Sequence, residues 1–418
     1  MRDRELYAHI LGIESPWTVE EVELRLEQGE ILVRVERKQG APLKCPECGG
    51  EGARYDVSER QWRHLDTCQY QTILVAAVPR MRCRDHGVRQ VHVPWAEPGS
   101  RMTAMFERLV IDWLLQVESI AAVAQTLRLT WEEVDRVRTR AVARGLKRRG
   151  EIRLPAVIGV DETSFQKRHE YVTLVSCGAG CKVLWVGDDN DEQALDAFWD
   201  EIPQAKRDAL EWISMDMSNA YIASTRKHIT GAEEKIVFDK FHVMKHANEF
   251  VDKVRKQEHR TLSEIGDETL KGTKWKWLKR PAGMRWAERR DFQRLRRCDL
   301  RTARAWSYKQ TVGQLWGYLN RDRAEQAWKR FCYSAIRCSL DPVKEFARMI
   351  RSHWTGVINA AVSDVTNATA EAINAGVQRI KRSACGFRSR PRFRMAILFH
   401  FGGLDLNPNL PSSIHSKA

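Results

Sequence analysis

No stretch of this sequence approaches the roughly 18 consecutive apolar residues of a membrane span. The longest strand-like apolar run is Ile73 to Val78. The opening Met1-Arg2-Asp3-Arg4-Glu5 leads into no apolar signal region. These absences set membrane and secreted classes aside, and a cytoplasmic, nucleoid-associated protein is expected. Disulfides are rare in that compartment, so the ten cysteines are not read as a disulfide framework. Acidic residues are in deficit: 55 Asp and Glu face 69 Lys and Arg, a net charge of +14. An excess of that size favours nucleic acid as partner over mere solubility. With 418 residues, 43% of them hydrophobic, the chain can form about two to four domains with real cores.

What the sequence does hold begins with a metal pattern. Cys45-Pro46-Glu47-Cys48-Gly49-Gly50 is a knuckle whose glycines let both thiolates face one ion. Cys83-Arg84-Asp85-His86-Gly87 is a second half-site, separated from Cys48 by 34 residues. Two such pairs suit tetrahedral structural Zn2+, held by Cys45, Cys48, Cys83 and His86 in a zinc ribbon. Cys68 is also available as a ligand, and the same residues would also serve as small buried hydrophobes with a surface histidine.

Residues 101–145 read as helical. A first helix carries Met105, Leu109, Ile111, Leu114 and Leu115; Ser119 caps a second over Ile120 to Leu127. Thr130 caps a third, with Glu132 and Glu133 in its first turn. Its arginines Arg136, Arg138, Arg140 and Arg144 lie off the apolar face of Val134, Val137 and Val142. A short helix, tight turn and basic helix make a helix-turn-helix, with Arg136, Arg138 and Arg140 as DNA contacts. A three-helix bundle with a solvated charged face has the same pattern. Residues 145–155 are the expected linker.

From Ile152 the pattern becomes α/β. Strands are expected over Ala156–Val160, ending on Asp161, then Tyr171–Cys177 and Lys182–Val186, joined by Gly178-Ala179-Gly180. A helical stretch precedes a strand ending on Asp216; a helix over Ala220–Ile229 and a strand over Lys235–Phe238 follow. Asp239-Lys240-Phe241-His242 then opens a helix to about Gln257. Three strands, helix, strand, helix, strand is the order of a ribonuclease H-like core, in which Asp161 and Asp216 meet on neighbouring strands. Either aspartate would also serve as a turn or cap residue.

Here the residues carry a resemblance. Cys45 to Gly49, Trp62-Arg-His-Leu-Asp66, Val78-Pro-Arg-Met-Arg-Cys83, Gly159-Val-Asp-Glu-Thr-Ser164 and Met215-Asp-Met-Ser218 stand in order with Phe238-Asp-Lys-Phe-His-Val243 and Ala370-Glu-Ala-Ile-Asn374. Ile380-Lys-Arg382, Gly386-Phe-Arg388 and Leu404-Asp-Leu406 complete them. Over nearly its whole length the chain resembles bacterial insertion-sequence DDE transposases of the ISL-three (ISL3) family. The resemblance implies that Asp161, Asp216 and Glu371 bind two catalytic Mg2+ (or Mn2+) ions. It also implies that Asp239 and His242 form a D-x2-H motif, with His242 donating to the scissile phosphate. A core-edge histidine capping local backbone would look the same. On the helix of Glu371, Asn374 and Gln378 share its face, and Lys381 and Arg382 follow as phosphate contacts. Arg388, in the run from Phe387 to Arg394, is expected on DNA too.

Asp216 and Glu371 are 155 positions apart, more than a minimal core needs. An all-α insertion of residues 258–355 is therefore expected. Residues 271–310 hold 14 Lys and Arg against 3 Asp and Glu, a balance suited to tracking phosphates. Trp275, Trp277, Trp286, Trp306, Trp316 and Trp328 are interleaved. Core packing accounts for them most simply; the alternative is that one stacks on a base beside the cut.

The expected organisation is a multidomain α/β chain. It comprises a zinc-ribbon domain (1–98), helix-turn-helix and linker (99–150), core (151–257), insertion (258–355), core with the Glu371 helix (356–406) and a disordered tail (407–418). The expected function is binding of terminal inverted repeats in double-stranded DNA, with metal-dependent strand cleavage and transfer into target DNA by a homodimer. The alternatives are a non-catalytic DNA-binding regulator derived from a transposase and a structure-selective nuclease.

Overall fold

The computed structural model describes residues 3–166, 170–178, 180–279, 281–365 and 368–410. Ala179, Asn367 and the tail beyond residue 410 lie outside the described residues. No helix among those described is long and apolar enough to cross a membrane. The chain divides into two compact units: residues 1–150 with 404–418, and residues 151–403.

The first unit opens with α1 (Asp3–Leu11) and a five-stranded sheet. Its strands are β1 (Trp17–Arg25), β2 (Glu30–Arg37), β3 (Ala53–Arg63), β4 (Gln71–Cys83) and β5 (Gly87–Gln90). The order is β1-β2-β4-β3, with β5 on β4; only β2 and β4 run parallel. Trp95 meets Trp17 and Trp62 edge-on at 5.0 and 5.4 Å in its core. Then come α2 (Ala104–Val117), α3 (Ile120–Leu127) and α4 (Trp131–Arg149). Ser119 caps α3 through Ala122 N–H, and Thr130 with Glu133 forms a capping box on α4.

His64, at the end of β3, is buried with its Nδ1 2.8 Å from Oγ1 of Thr103, the cap of α2. Burial, helped by the Arg63 charge, pushes its pKa down to about 4. Between pH 6.5 and about 4 the unfolded chain takes up a proton that the folded unit refuses. Stability therefore falls as pH drops through that window, by about 3 kcal/mol in all. His64→Gln should flatten this part of the thermal-melting profile relative to wild type; identical profiles would refute the assignment.

The second unit contains β6 (Val157–Gln166), β7 (Glu170–Cys177), β8 (Val183–Asp188), α5 (Glu192–Asp200), α6 (Gln204–Asp208) and β9 (Trp212–Met215). It continues with α7 (Asn219–His228), α8 (Ala232–Lys235) and β10 (Ile236–Phe238). The sheet order is β10-β9-β6-β7-β8. β6, β7 and β8 are antiparallel neighbours; β9 and β10 run parallel to β6. From β10 to residue 362 the described elements are helical: α9 (Lys240–Glu264), α10 (Lys274–Leu278), a short 3-10 turn, α11 (Trp286–Arg297), α12 (Arg301–Gln314), α13 (Arg321–Arg337), α14 (Asp341–Ser352) and α15 (Trp354–Val362). α16 (Ala368–Ser383) and α17 (Arg390–Phe401) finish the unit.

α9 runs past Gln257 because its buried Glu258 accepts from the backbone N–H groups of Arg301 and Thr302 at 2.6 and 2.7 Å. That carboxylate caps α12 from a distance. The strands and these helices share one apolar core, from Ile158 and Ile213 through Phe250 to Trp277 and Trp328. The helical segment is thus fused to the sheet, not hung from it.

Candidate metal, catalytic and DNA-binding sites

Cys45 and Cys48 lie in the β2–β3 connection; Cys83 ends β4 and His86 precedes β5. Gly49 takes φ +74°, the left-handed value that reverses the knuckle. One donor atom from each of the four residues lies within 4.8 Å of all the others. Cys48 Sγ is 3.6 Å from Cys83 Sγ, and His86 Nδ1 is 3.8 Å from Cys45 Sγ and 3.6 Å from Cys83 Sγ. Those separations match a tetrahedron with zinc–sulfur bonds of about 2.3 Å. The backbone N–H of His86 above all lowers the Cys83 thiol pKa to about 6, towards the ligating thiolate. Glu47 is 3.5 Å from His86 Nε2 and is held by Arg89, as a partner orienting a ligand histidine would be. Cys68 stands apart, exposed.

The α3–α4 turn is stapled to the sheet. Asp66 pairs with both Arg63 and Arg128, and Arg63 lies over the Phe106 ring at 4.9 Å. The Trp62–Asp66 motif thereby has a structural role that the sequence did not disclose. Two expected DNA contacts are corrected. Arg138 is buried against Asp135, and Arg140 pairs at 2.7 Å with Glu107 of α2, itself buried. Arg144 joins Glu107 and Glu97, each at 2.5 Å. A buried carboxylate demands such partners, so Arg140 and Arg144 pack α4 onto α2, while Arg138 is paired within α4. The outward face of α4 instead carries Arg136, Thr139 and Lys147.

In the second unit Asp161 does not close its strand. β6 continues to Gln166, but its parallel pairing with β9 stops at Gly159 opposite Ser214. Asp161 therefore sits just past the end of that ladder. Asp216 follows β9 directly, its Oδ1 accepting from Ser218 N–H at 3.0 Å. Asp239 follows β10 and caps α9, and His242 Nε2 lies 3.8 Å from its carboxylate. Burial raises the Asp161 pKa to about 6; Glu162 N–H and His242 oppose this, while Asp216 and Asp239 add to it. Three carboxylates and a histidine thus share one field.

Glu371 is not among them. It is exposed in the first turn of α16. One turn on, Asn374 donates to Asp161 Oδ2 at 2.6 Å, and Gln378 donates to Thr163 at 3.1 Å. Among the described residues the only group of three or more metal donors within 4.8 Å of one another is the Cys/His cluster. The oxygen donors of Asp161 and Asp216 suit a hard cation, and the side chain of α16 that reaches Asp161 is Asn374, one turn beyond Glu371.

Lys381 is half-buried and gives hydrogen bonds to Ser164 O (2.8 Å) and Oγ (3.4 Å), so it braces β6 instead of lying free on the surface. Burial lowers its pKa. Arg382 and Arg388 are exposed. The run from Phe387 is largely structural: Arg390 pairs with Asp189 and Glu170, Arg394 with Asp188, and Phe393 packs on Phe165 and Phe387. In the helical segment Trp277, Trp306 and Trp328 are buried, whereas Trp275 and Trp286 are 65% and 74% exposed. Nor is the stretch after Asp405 loose as far as residue 410. Leu406 is buried, its carbonyl accepts from Arg144, and Arg148 donates to Asn407 O and Asn409 Oδ1, each at 2.6 Å.

Comparison with known proteins agrees with this layout. Residues 158–397 match a family described as transposase, of the DDE ISL3 type. Residues 41–86 match the zinc finger of transposases IS204, IS1001, IS1096 and IS1165, and residues 91–142 the helix-turn-helix domain of transposase family ISL3. The chain is 25% identical to the transposase for insertion sequence element IS1557 of Mycobacterium tuberculosis, over 93% of each chain. It is also 25% identical to the transposase for element IS1001 of Bordetella parapertussis, over 96% of this chain and 99% of the other. Zinc-ribbon, helix-turn-helix and transposase segments in this order mean that the chain belongs to the ISL3 family of insertion-sequence transposases.

Proposed function

We propose that this protein binds the terminal inverted repeats of an insertion sequence and cuts and joins DNA strands at Asp161, Asp216 and Glu371. The observation that carries the reading is the convergence of Asp161, Asp216, Asp239 and His242 at one end of three parallel strands, in a chain of this family. The sheet order β10-β9-β6-β7-β8 supports a ribonuclease H-like core, and the helices from α9 to α15 support an all-α insertion within it. The zinc ribbon, with Zn2+ on Cys45, Cys48, Cys83 and His86, and the outward face of α4 with Arg136 are the end-reading parts. Pairing of two ends calls for a DNA-bound homodimer.

At the centre, Asp161, Asp216 and Glu371 would supply carboxylate oxygens to Mg2+ or Mn2+, two ions per site. When bound, these ions supply the charge that activates the attacking oxygen and stabilises the leaving one. Water, then a DNA 3′-hydroxyl, attacks phosphorus in line, and the protein contributes no covalent nucleophile. Asp239 orients His242, which donates to the scissile phosphate. Asn374, which donates to Asp161, and Glu371, exposed one turn before it, are the side chains of α16 that would rearrange on metal binding.

The test is Mg2+- or Mn2+-dependent cleavage of DNA carrying the element's own ends, wild type beside Glu371→Gln. Specific nicks lost in the variant support both the reaction and its third ligand; persistent nicks move that ligand elsewhere. The outward Glu371 is the one observation favouring a DNA-binding regulator, which would bind ends and cut nothing. A structure-selective nuclease would cut branched DNA without joining.

The exposed, arginine-rich face of α11 is the proposed phosphate track of the insertion. Replacing Arg294 and Arg297 together by Glu should weaken duplex binding regardless of sequence. It should also lower the slope of log affinity against log salt by about 2. A slope equal to that of wild type would remove α11 from the interface.

A further inference from the structure

We propose that a cavity between α13, α14 and α15 holds an unpaired nucleotide of the DNA strand that the catalytic centre processes. The proposal rests on the reading of this chain as a DNA-processing enzyme and names a site that this reading does not require. The cavity is an open hollow of about 670 Å³, within the usual range of ligand sites. Its floor is the buried Cys332 with Ile336, its walls are Tyr333 and Trp354, and its rim is Lys329, Arg337 and Arg351. Among the described residues no carboxylate lines it.

The side chains supply what a nucleotide needs. The Trp354 ring and the Tyr333 face not covered by Arg337 offer stacking for a base, worth enough in single-stranded binders to matter for every base held. Tyr333 is exposed, and the Arg337 guanidinium lies 3.5 Å over its ring. So stacked, an arginine still directs N–H groups outward to phosphate oxygens. Lys329 is shared with Glu325 at 3.0 Å and stands 6.0 Å from the Trp354 ring. The Arg351 charge reaches the floor, where it partly offsets the burial that raises the Cys332 thiol to about 11.

The surroundings favour a strand over a free nucleotide. Arg351 and Trp354 also line a neighbouring hollow of about 740 Å³ that extends to Phe238 and Asn219. Phe238 immediately precedes Asp239, and Asn219 lies three residues past Asp216. His353 packs edge-on against Phe238 at 5.4 Å. The two hollows share Arg351 and Trp354, and the second reaches the residue before Asp239, with Arg226, Arg351 and the rings of Phe238, His353 and Trp354 along it and Glu233, paired with Arg226, as its carboxylate. A free nucleoside triphosphate has the same chemistry but gains nothing from this continuity.

The experiment compares binding of the full chain to a blunt duplex and to the same duplex bearing a short single-stranded extension with 2-aminopurine. The extension is expected to tighten binding about tenfold and to change 2-aminopurine fluorescence as the base leaves its neighbours. Arg337→Ala, Arg351→Ala and Trp354→Leu should each remove the gain and leave blunt-duplex affinity unchanged. The two arginines are exposed, so they keep the test valid if Trp354→Leu fails to fold. No gain from the extension, or a gain that survives both arginine changes, overturns the proposal. So does ATP that binds without DNA as tightly as the extension does. Metal-dependent cleavage is scored separately on element-end DNA. A gain without cleavage keeps the cavity and sinks the transposase chemistry; cleavage without a gain does the reverse.

Discussion

Asp161→Asn is expected to abolish metal-dependent cleavage, by at least about a thousandfold, while element-end affinity stays unchanged and the fold gains stability. The gain is the less obvious part. Burial among like charges raises the Asp161 pKa to about 6, so the folded protein holds its proton more tightly than the unfolded chain does. The ionised form therefore lowers stability as pH rises from about 4 through about 6, by about 3 kcal/mol above that window. An asparagine amide carries no charge, and its oxygen can still accept from Asn374 or from Glu162 N–H, which now bond Asp161 at 2.6 and 2.8 Å. Without metal, the variant should melt higher than wild type at pH 7 and match it near pH 4. Cleavage assays, anisotropy and melts at both pH values check the three outcomes together. A lower melting point or lost end binding would make Asp161 a structural residue.

Removing zinc, or changing Cys48→Ser, should unfold the first unit and cut specific DNA affinity. The apolar cluster under the knuckle is only Cys45, Met81, Cys83 and Val91 with Leu43 against it, too small to hold the loops alone. A structural zinc contributes about 10–16 kcal/mol, comparable with the whole stability of a domain. The damage should spread, because the sheet carries Asp66, whose pairs with Arg63 and Arg128 fix the α3–α4 turn. Circular dichroism melts with and without chelator, beside binding to end DNA, decide the matter. If fold and affinity both survive the loss of zinc, the assignment is wrong.

Local signals were legible where local chemistry decides. Ser119 and Thr130 mark the starts of α3 and α4 because a cap satisfies its own neighbours. The C-x2-C and C-x2-H spacings bring four donors together because each pair is set by its own turn. What escaped was set by distant partners. Nothing near Arg140 in sequence says that Glu107 is buried and needs cations. The apolar run before Asp161 reads as a strand that ends there, because the shift of β6 from two ladders to one is a property of β9, not of β6. The outward turn of Glu371 was equally hidden. Helical spacing gives its face, but not which turn of α16 reaches Asp161.

The docking of residues 404–410 on α4 has a consequence for synthesis. Gly145 leaves room for Leu404, whose Cβ would lie 2.7 Å from any Cβ added there, and Arg144 and Leu406 are 262 residues apart. During translation the helix-turn-helix thus emerges long before the segment that covers one side of its third helix. Domains fold as the ribosome releases them, but this one stays open until the intervening unit has been made. A product stopping short of Leu404 would leave this side of α4 uncovered and Arg148 without its partners Asp405, Asn407 and Asn409, while Arg144 kept Glu97 and Glu107. Completion of the first unit is in this way tied to synthesis of the whole second unit, which lies between its two pieces in the chain.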